Sequence, residues 1–296
     1  MGNKVLVTGA TGKVGYEVVK ALAMAGVTVK AATRHPATAP DYGMQGAVEI
    51  VRFDYADPQT VTAALADVDR LFLVTPEDDE VAYGKRLVDA AQAADVTHIV
   101  KLSALGVEQA ETSGHRQVER YIEASHLAYT HLRPTWFMQN FNTFDAQSIK
   151  EHDTLYLPAS DGRVGFIDTR DIAAVAALAL TREGHANTAY ALTGPALLDH
   201  AEVAAILSQT LGRTITYANP SDVQYRAALS SYGMPPRMVE GMAGLYGMVR
   251  SGSYAVLTPD VERLLGRAPM AFSQYARATT PPSGSRRRRV RTRARG

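Results

Sequence analysis

Lys4-Val-Leu-Val-Thr-Gly9-Ala-Thr-Gly12-Lys-Val-Gly15 is the stretch on which the reading of the whole chain turns. Val5, Leu6 and Val7 favour a strand, three glycines follow, and apolar residues then recur at helical spacing at Val14, Val18, Ala21, Leu22 and Ala25. The pattern predicts strand, tight turn and helix. Gly9 suits a reversal that needs positive φ, Gly12 allows backbone to approach a diphosphate without a Cβ, and Gly15 lets the helix close on the strand. The helix start then offers N–H groups and partial positive charge to an anion. The spacing Gly-x-x-Gly-x-x-Gly differs from the Gly-x-Gly-x-x-Gly fingerprint, and glycines in a turn are often only turn glycines. Position between strand and helix nevertheless makes a bound dinucleotide the expectation, with Gly9, Thr11, Gly12, Lys13, Val14 and Gly15 around it.

A chain of 296 residues can bury a large core, as one domain or two unequal ones. It contains no cysteine, so disulfides, thiolate metal sites and thiol redox switches are excluded, and redox chemistry must come from a bound cofactor. No His, Asp and Glu spacing suggests a metal site. The chain starts directly on the first strand, without a basic-then-apolar leader, and no run of about 18 apolar residues occurs. Leu6 stands where N-myristoylation would need Ser or Thr. The expectation is a cytoplasmic protein with no membrane partner. Seven arginines fall between 286 and 295, leaving 24 basic against 30 acidic side chains elsewhere, so the body is acidic behind a net charge of +1. The tail, 279–296, opens on the linker-like Thr279-Thr-Pro-Pro-Ser-Gly-Ser285 and reads as disordered. It is the only feature through which nucleic acid could be held. The oligomeric state stays open.

Val27 to Thr33 reads as a second strand ending at Arg34. An acid at this edge would bind the 2′-hydroxyl of NAD. Here Ala31, Ala32 and Thr33 leave room and Arg34 supplies a planar cation suited to a 2′-phosphate, which predicts NADPH rather than NADH. Ala47 to Phe53 is a third strand, followed by Asp54 and Tyr55; Asp54 could accept from an adenine amino group or cap the helix that Pro58 starts. Leu71 to Val74 is a continuous apolar run expected of a strand covered on both faces, ending at Thr75 and Pro76. Val81, Leu87, Val88 and Ala91 mark a helix, and His98 to Leu102 a fifth strand ending at Ser103. This alternation predicts an α/β fold, a doubly wound parallel sheet of Rossmann type. Residues 1–140 with about 163–195 would form it, and about 141–162 with 196–278 a smaller α/β substrate subdomain.

Val7-Thr-Gly-Ala-Thr-Gly-Lys-Val-Gly15, Thr33-Arg34, Asp54-Tyr55, Val100-Lys-Leu-Ser103, Tyr129-Thr-His-Leu-Arg-Pro134 and Phe137-Met-Gln-Asn140 together resemble the NmrA-like group of atypical short-chain dehydrogenases, from residue 3 to about 275. Within that group the chain is most similar to bacterial NAD(P)H:quinone oxidoreductases and triphenylmethane dye reductases. The group also holds plant phenylcoumaran and isoflavone reductases, and regulators that bind the cofactor without obvious turnover. The resemblance implies NADP(H) along Gly9 to Gly15, Arg34, Asp54, Tyr55, Thr75, Pro76, Ser103, Pro134 and Trp136.

Short-chain dehydrogenases generally act through Tyr-x-x-x-Lys. The only match here, Tyr16 to Lys20, lies on the first helix beside the phosphate turn and away from the later strand ends, so the expected tyrosine is missing. His115 and Glu119 stand in the corresponding region, within about 40° of each other on a helix. The carboxylate would favour and hold an imidazolium, making His115 a candidate proton donor; the plainer reading is a surface pair one turn apart. The resemblance adds a similar His-x-x-x-Glu in quinone-oxidoreductase-like relatives and a catalytic lysine at the place of His115 in plant reductases. A conjugated acceptor such as a quinone or cationic dye is already electrophilic and asks mainly for positioning and a dry pocket. Trp136, Phe137, Met138 and Phe141, after the sixth strand (128–133), are candidate walls, with plain core as the alternative. Asp168 and Asp171 read as capping and turn residues before the helix from Ile172. Met234, Met238, Met242 and Met248 among glycines suggest an adaptable substrate lid or a packed helix pair. The sequence thus predicts an NADPH-dependent reductase of a quinone-like or other conjugated small molecule. Its rival is a non-catalytic NADP(H) sensor.

Overall fold

The computed structural model describes residues 4–279 apart from 45 and 77. The arginine-rich tail, with all but the first residue of its linker, and the Met1-Gly2 start lie outside them. Six strands alternate with helices through the first half: β1 Lys4–Val7, β2 Thr28–Thr33, β3 Val48–Arg52, β4 Arg70–Leu73, β5 His98–Leu102 and β6 Ala128–Pro134, with α1 Lys13–Met24, α2 Pro58–Leu65, α3 Glu80–Ala93 and α4 Gly114–Ala124 between them. The second half carries α5 Ala146–His152, β7 Thr154–Tyr156, α6 Thr169–Thr181, β8 Thr188–Leu192, α7 His200–Leu211, β9 Thr216–Ala218, α8 Asp222–Ser231, α9 Pro236–Arg250, α10 Asp260–Leu265 and α11 Phe272–Thr279. The main sheet runs β3-β2-β1-β4-β5-β6-β8 with every neighbouring pair parallel. Strand order reverses between β1 and β4, and the crevice beyond their carboxyl ends is where such sheets hold ligands.

Side-chain alternation along each strand assigns the two faces. Val5, Val7, Val29, Ala31, Phe72, Val100 and Leu132 pack with α1 and α6. Leu6, Ala32, Leu71, Leu73 and Ile99 pack with α2, α3 and α4. Two lysines share this second face and are buried. Lys30 donates to the carbonyls of Ala64 (3.3 Å) and Ala66 (2.6 Å) at the end of α2, a satisfied structural role. Lys101, two residues beyond Ile99, has no accessible side-chain surface and points under α3 and α4.

A separate cluster around Phe141, Phe166, Tyr246, Phe272 and Tyr275 packs α5, α7, α8, α9 and α11 about the parallel β7-β9 pair. α10 lies outside it. Val261 joins the α1 and α6 side of the sheet and Asp260 accepts from the Ala191 amide at 2.9 Å, so this part of 196–278 returns to the sheet. Local signals set several boundaries: Asp199 and Glu202 form a reciprocal capping box for α7, and Gly212, at φ +66°, ends it. Asp168 caps α6 as read from sequence, accepting from the Arg170 amide at 2.8 Å, and Asp171 accepts from the Met270 amide at 2.7 Å.

Candidate active site at the carboxyl ends of the strands

The turn after β1 is built so that only small residues close it. Gly9 has φ +61°, and a Cβ on Gly15 would lie 2.1 Å from the Gly9 carbonyl oxygen, so α1 sits directly on the turn. Gly12 is the N-cap of α1 and no side chain caps the helix start. Thr8 ties this turn to β4: its hydroxyl meets the Phe72 carbonyl (3.2 Å), and the Val74 amide donates to it at 2.8 Å. Backbone donors at an uncapped helix start, beside a turn that would clash with a Cβ at Gly15, fit the diphosphate of a dinucleotide. A cavity of about 320 Å³ adjoins them, lined by Thr11, Gly12, Lys13, Tyr16, Gln139 and Asn142 among others. Lys13 donates to Asn140 Oδ1 at 2.8 Å and lies 4.3 Å over the Phe144 ring, coupling the turn to the segment after β6. Val14 turns inward and is core.

At the outer edge of the crevice Arg34 is exposed just beyond β2, and Thr33 is in register with Arg52 of β3. Two neighbouring residues differ from expectation. The cap of α2 is Asp57, accepting from the Gln59 amide at 3.1 Å, whereas Asp54 accepts from Ala56 (3.0 Å) in its own turn. Tyr55 donates its hydroxyl to the Val74 carbonyl and packs against Phe53 and Tyr83, and burial pushes the phenol up. It supports the ends of β3 and β4 with its hydroxyl already engaged. Tyr16 and Lys20 both lie on α1, where Lys20 pairs with Glu17 at 3.9 Å and stands 5.3 Å from the centre of the Tyr16 ring.

Toward the middle of the sheet His115 and Glu119 separate. Glu119 is fully buried; Arg133 grips both its oxygens, at 3.0 and 2.8 Å, and Arg116 Nη1 donates to Oε2 at 2.7 Å. Burial would raise this carboxyl, but the Arg133 hydrogen bonds, with Ser103 and Arg116 beside it, bring it down to about 2. Its role is to clamp α4 to the end of β6, which corrects its expected partnership with His115. Glu119, Glu123 and His131 bring one potential metal-ligand atom each within 4.8 Å, but the cation already between the two carboxylates is Arg116, 2.7 and 3.0 Å from them.

The partner of His115 is Glu80, the first residue of α3, whose Oε1 contacts His115 Nδ1. The same oxygen accepts from Thr75 Oγ1 at 2.8 Å and faces Lys101 Nζ at 3.5 Å; Lys101 also lies 3.3 Å from His115 Nδ1 and donates to the Leu102 carbonyl at 3.0 Å. Burial would raise the Glu80 carboxyl, but the His115 hydrogen bond and the His115 and Lys101 charges hold it below the usual range. Burial also lowers Lys101, against the pull of Glu80 and Glu119. Thr75 is thus engaged within the protein, Ser103 is buried at the end of β5, and its amide donates to Leu132 at 2.7 Å. Pro76 is half-buried after Thr75, and Pro134 is buried at the end of β6. Sequence reading missed Glu80 and Lys101. A lysine at the inward position of a strand covered on both faces was the available signal, since such a charge must find a partner.

The candidate walls divide. Met138 and Phe141 are buried in the second cluster, Phe141 edge-on to Phe166 and Phe272, so both are core rather than lining. Phe137 and Trp136 are half-buried, with Trp136 against Tyr246 and Tyr254. The Met-rich stretch forms the α8 and α9 pair: Tyr225, Val239 and Tyr246 face inward, while Met238, Leu245 and Met248 stay exposed.

Residues 1–265 match the NmrA-like family. The chain is 37% identical over 288 residues to an NAD(P)H azoreductase of Xenophilus azovorans, covering 95% of this chain and 99% of that protein. It is 29% identical over 246 residues to quinone oxidoreductase 2 of Escherichia coli strain K12, covering 81% and 85%. The crystal structure of Citrobacter sp. triphenylmethane reductase complexed with NADP(H) superposes with a TM-score of 0.82 at 26% identity, covering 95% of this chain and all of that one.

Proposed function

This chain belongs to the NmrA-like family and is an NAD(P)H-dependent oxidoreductase, and from that premise we propose that it reduces a quinone-like or other conjugated small molecule with NADPH, His115 supplying the proton. The observation that carries the reading is a histidine with 36% of its side chain exposed, bonded through Nδ1 to a buried-side carboxylate at the strand ends that border the crevice. NADPH, when bound, supplies a hydride and leaves as NADP+; a quinone that takes up one hydride and one proton becomes a hydroquinone. Gly9, Thr11, Gly12, Lys13, Val14 and Gly15 hold the diphosphate through backbone, and Arg34 the 2′-phosphate. Half-buried Phe137 and Trp136 offer flat apolar surface to a planar acceptor and keep water from it. His115 then delivers its proton to the acceptor oxygen.

Steady oxidation of NADPH with at least one member of a panel of quinones, azo dyes and triphenylmethane dyes is the expected result. No oxidation with any of them, while NADPH still binds in a fluorescence titration, would favour the sensor instead. Arg34→Asp is expected to weaken NADPH binding by about ten- to a hundredfold, the value of ~1.5–3 kcal/mol for a hydrogen bond to a charged group, with NADH binding retained. An unchanged ratio of the two affinities would remove Arg34 from cofactor choice.

A further inference from the structure

We propose that Glu80 and Lys101 are positioning residues for this reduction: Glu80 holds the hydrogen on His115 Nδ1, so that the imidazolium gives its Nε2 proton to the acceptor and is left as the Nδ1–H tautomer, and Lys101 holds Glu80 in place. The inference rests on the reading of His115 as proton donor.

A carboxylate oxygen in close contact with a bare imidazole nitrogen would set lone pair against lone pair, so the hydrogen lies between Glu80 Oε1 and His115 Nδ1. Lys101 has only donors, and it cannot hydrogen-bond to an Nδ1 that already carries hydrogen. Its ammonium is satisfied by the Leu102 carbonyl at 3.0 Å and the Glu80 carboxylate at 3.5 Å. Thr75 supplies a third donor to the same oxygen at 2.8 Å. One carboxylate oxygen therefore gathers three side chains, from α4, β5 and the end of β4.

Helix packing is shaped to permit this. α3 and α4 approach so closely at Gly84 that a Cβ there would lie 2.7 Å from Val118. One turn earlier on both helices, a Cβ on Gly114 would lie 2.5 Å from Glu80 Oε2. The carboxylate thus stands at the start of α4, where Ser113 makes no side-chain cap and negative charge is favourable. The charged groups facing the pair are Lys101 from β5 and, acting on Lys101, Glu119 of α4, itself neutralised by Arg116 and Arg133. Because Nδ1 is held, every proton that His115 exchanges with a ligand passes through Nε2.

Imidazole ¹H–¹⁵N correlation spectra of the full chain, with His115 assigned through His115→Gln, test the assignment directly. Neutral His115 is expected to carry hydrogen on Nδ1 in the wild type and to shift toward the Nε2–H form in Glu80→Gln, a near-isosteric change. Lys101→Met is expected to move it in the same direction. For a quinone acceptor kcat should fall about tenfold in Glu80→Gln, a part of the ~10²-fold or more that an acid contributes, with NADPH affinity unchanged. A wild type with hydrogen on Nε2, or a Glu80→Gln variant with unaltered tautomer and pH profile, overturns the positioning role whatever His115→Ala does. Failure of the donor reading shows differently, as quinone turnover untouched by His115→Ala while Glu80 still sets the tautomer.

Discussion

Glu119→Ala should lower folding stability at pH 7 by about 3–5 kcal/mol, the usual cost of removing one member of a buried ion cluster. The loss comes from what remains: Arg133 and Arg116, both largely buried, would lose the carboxylate that takes three of their hydrogen bonds. Urea unfolding at pH 7 measures it, and a change under about 1 kcal/mol would put the pair among ordinary surface bridges. A pH series separates the charge from the packing. Glu119 titrates at about 2 in the folded protein against an ordinary 4.5, so its charge stabilises the fold at every pH above 4.5 and the contribution drains away as pH falls from there toward 2. The wild type should therefore lose on the order of 3 kcal/mol more than Glu119→Ala over that interval. Since the clamp joins α4 to β6, loosening it also loosens the helix that carries His115.

The same helix shows where sequence reading succeeds and where it stops. The succession of strands, the glycine turn and the capping of α6 were legible because each depends on neighbours in the chain: the continuous apolar run at Leu71 to Leu73, positive φ at Gly9, Asp168 directly before the helix. Helical geometry likewise put His115 and Glu119 on adjoining turns. It could not say that Arg133, from β6, and Arg116 would take Glu119 first, or that the partner of His115 would come from α3, 35 residues earlier. The first follows from α4 lying against the end of β6, and the second from the approach of α3 and α4 at Gly84 and Val118, both tertiary facts. Met138 and Phe141 fail for a related reason. An aromatic beyond a strand end can line a crevice or enter a core, and the apolar cluster on Phe166 and Phe272 decided for the core. Asp54 was displaced by Asp57, one residue before Pro58, which is the position that can cap a helix whose first residue is proline.

His115→Ala should divide acceptors by their charge. A quinone that takes up hydride becomes an oxyanion and needs a proton; a triphenylmethane dye cation becomes neutral and needs none. If His115 serves as the proton donor, its removal lowers quinone turnover by about 10²-fold or more, the contribution of a positioned acid, and leaves dye turnover nearly unchanged. NADPH affinity should stay constant, because the side chain is held by Glu80 and not by the glycine turn. Initial rates for one acceptor of each kind, with a fluorescence titration of NADPH, supply the three readings. Equal loss for both acceptors would make His115 a binding or shape-determining residue instead. No loss for either would mean that proton delivery comes from solvent, with hydride transfer to an electrophilic acceptor resting on orientation alone. The discrimination is sharp because the two reactions share the same hydride and the same crevice, and differ only in the charge left on the acceptor once it is reduced.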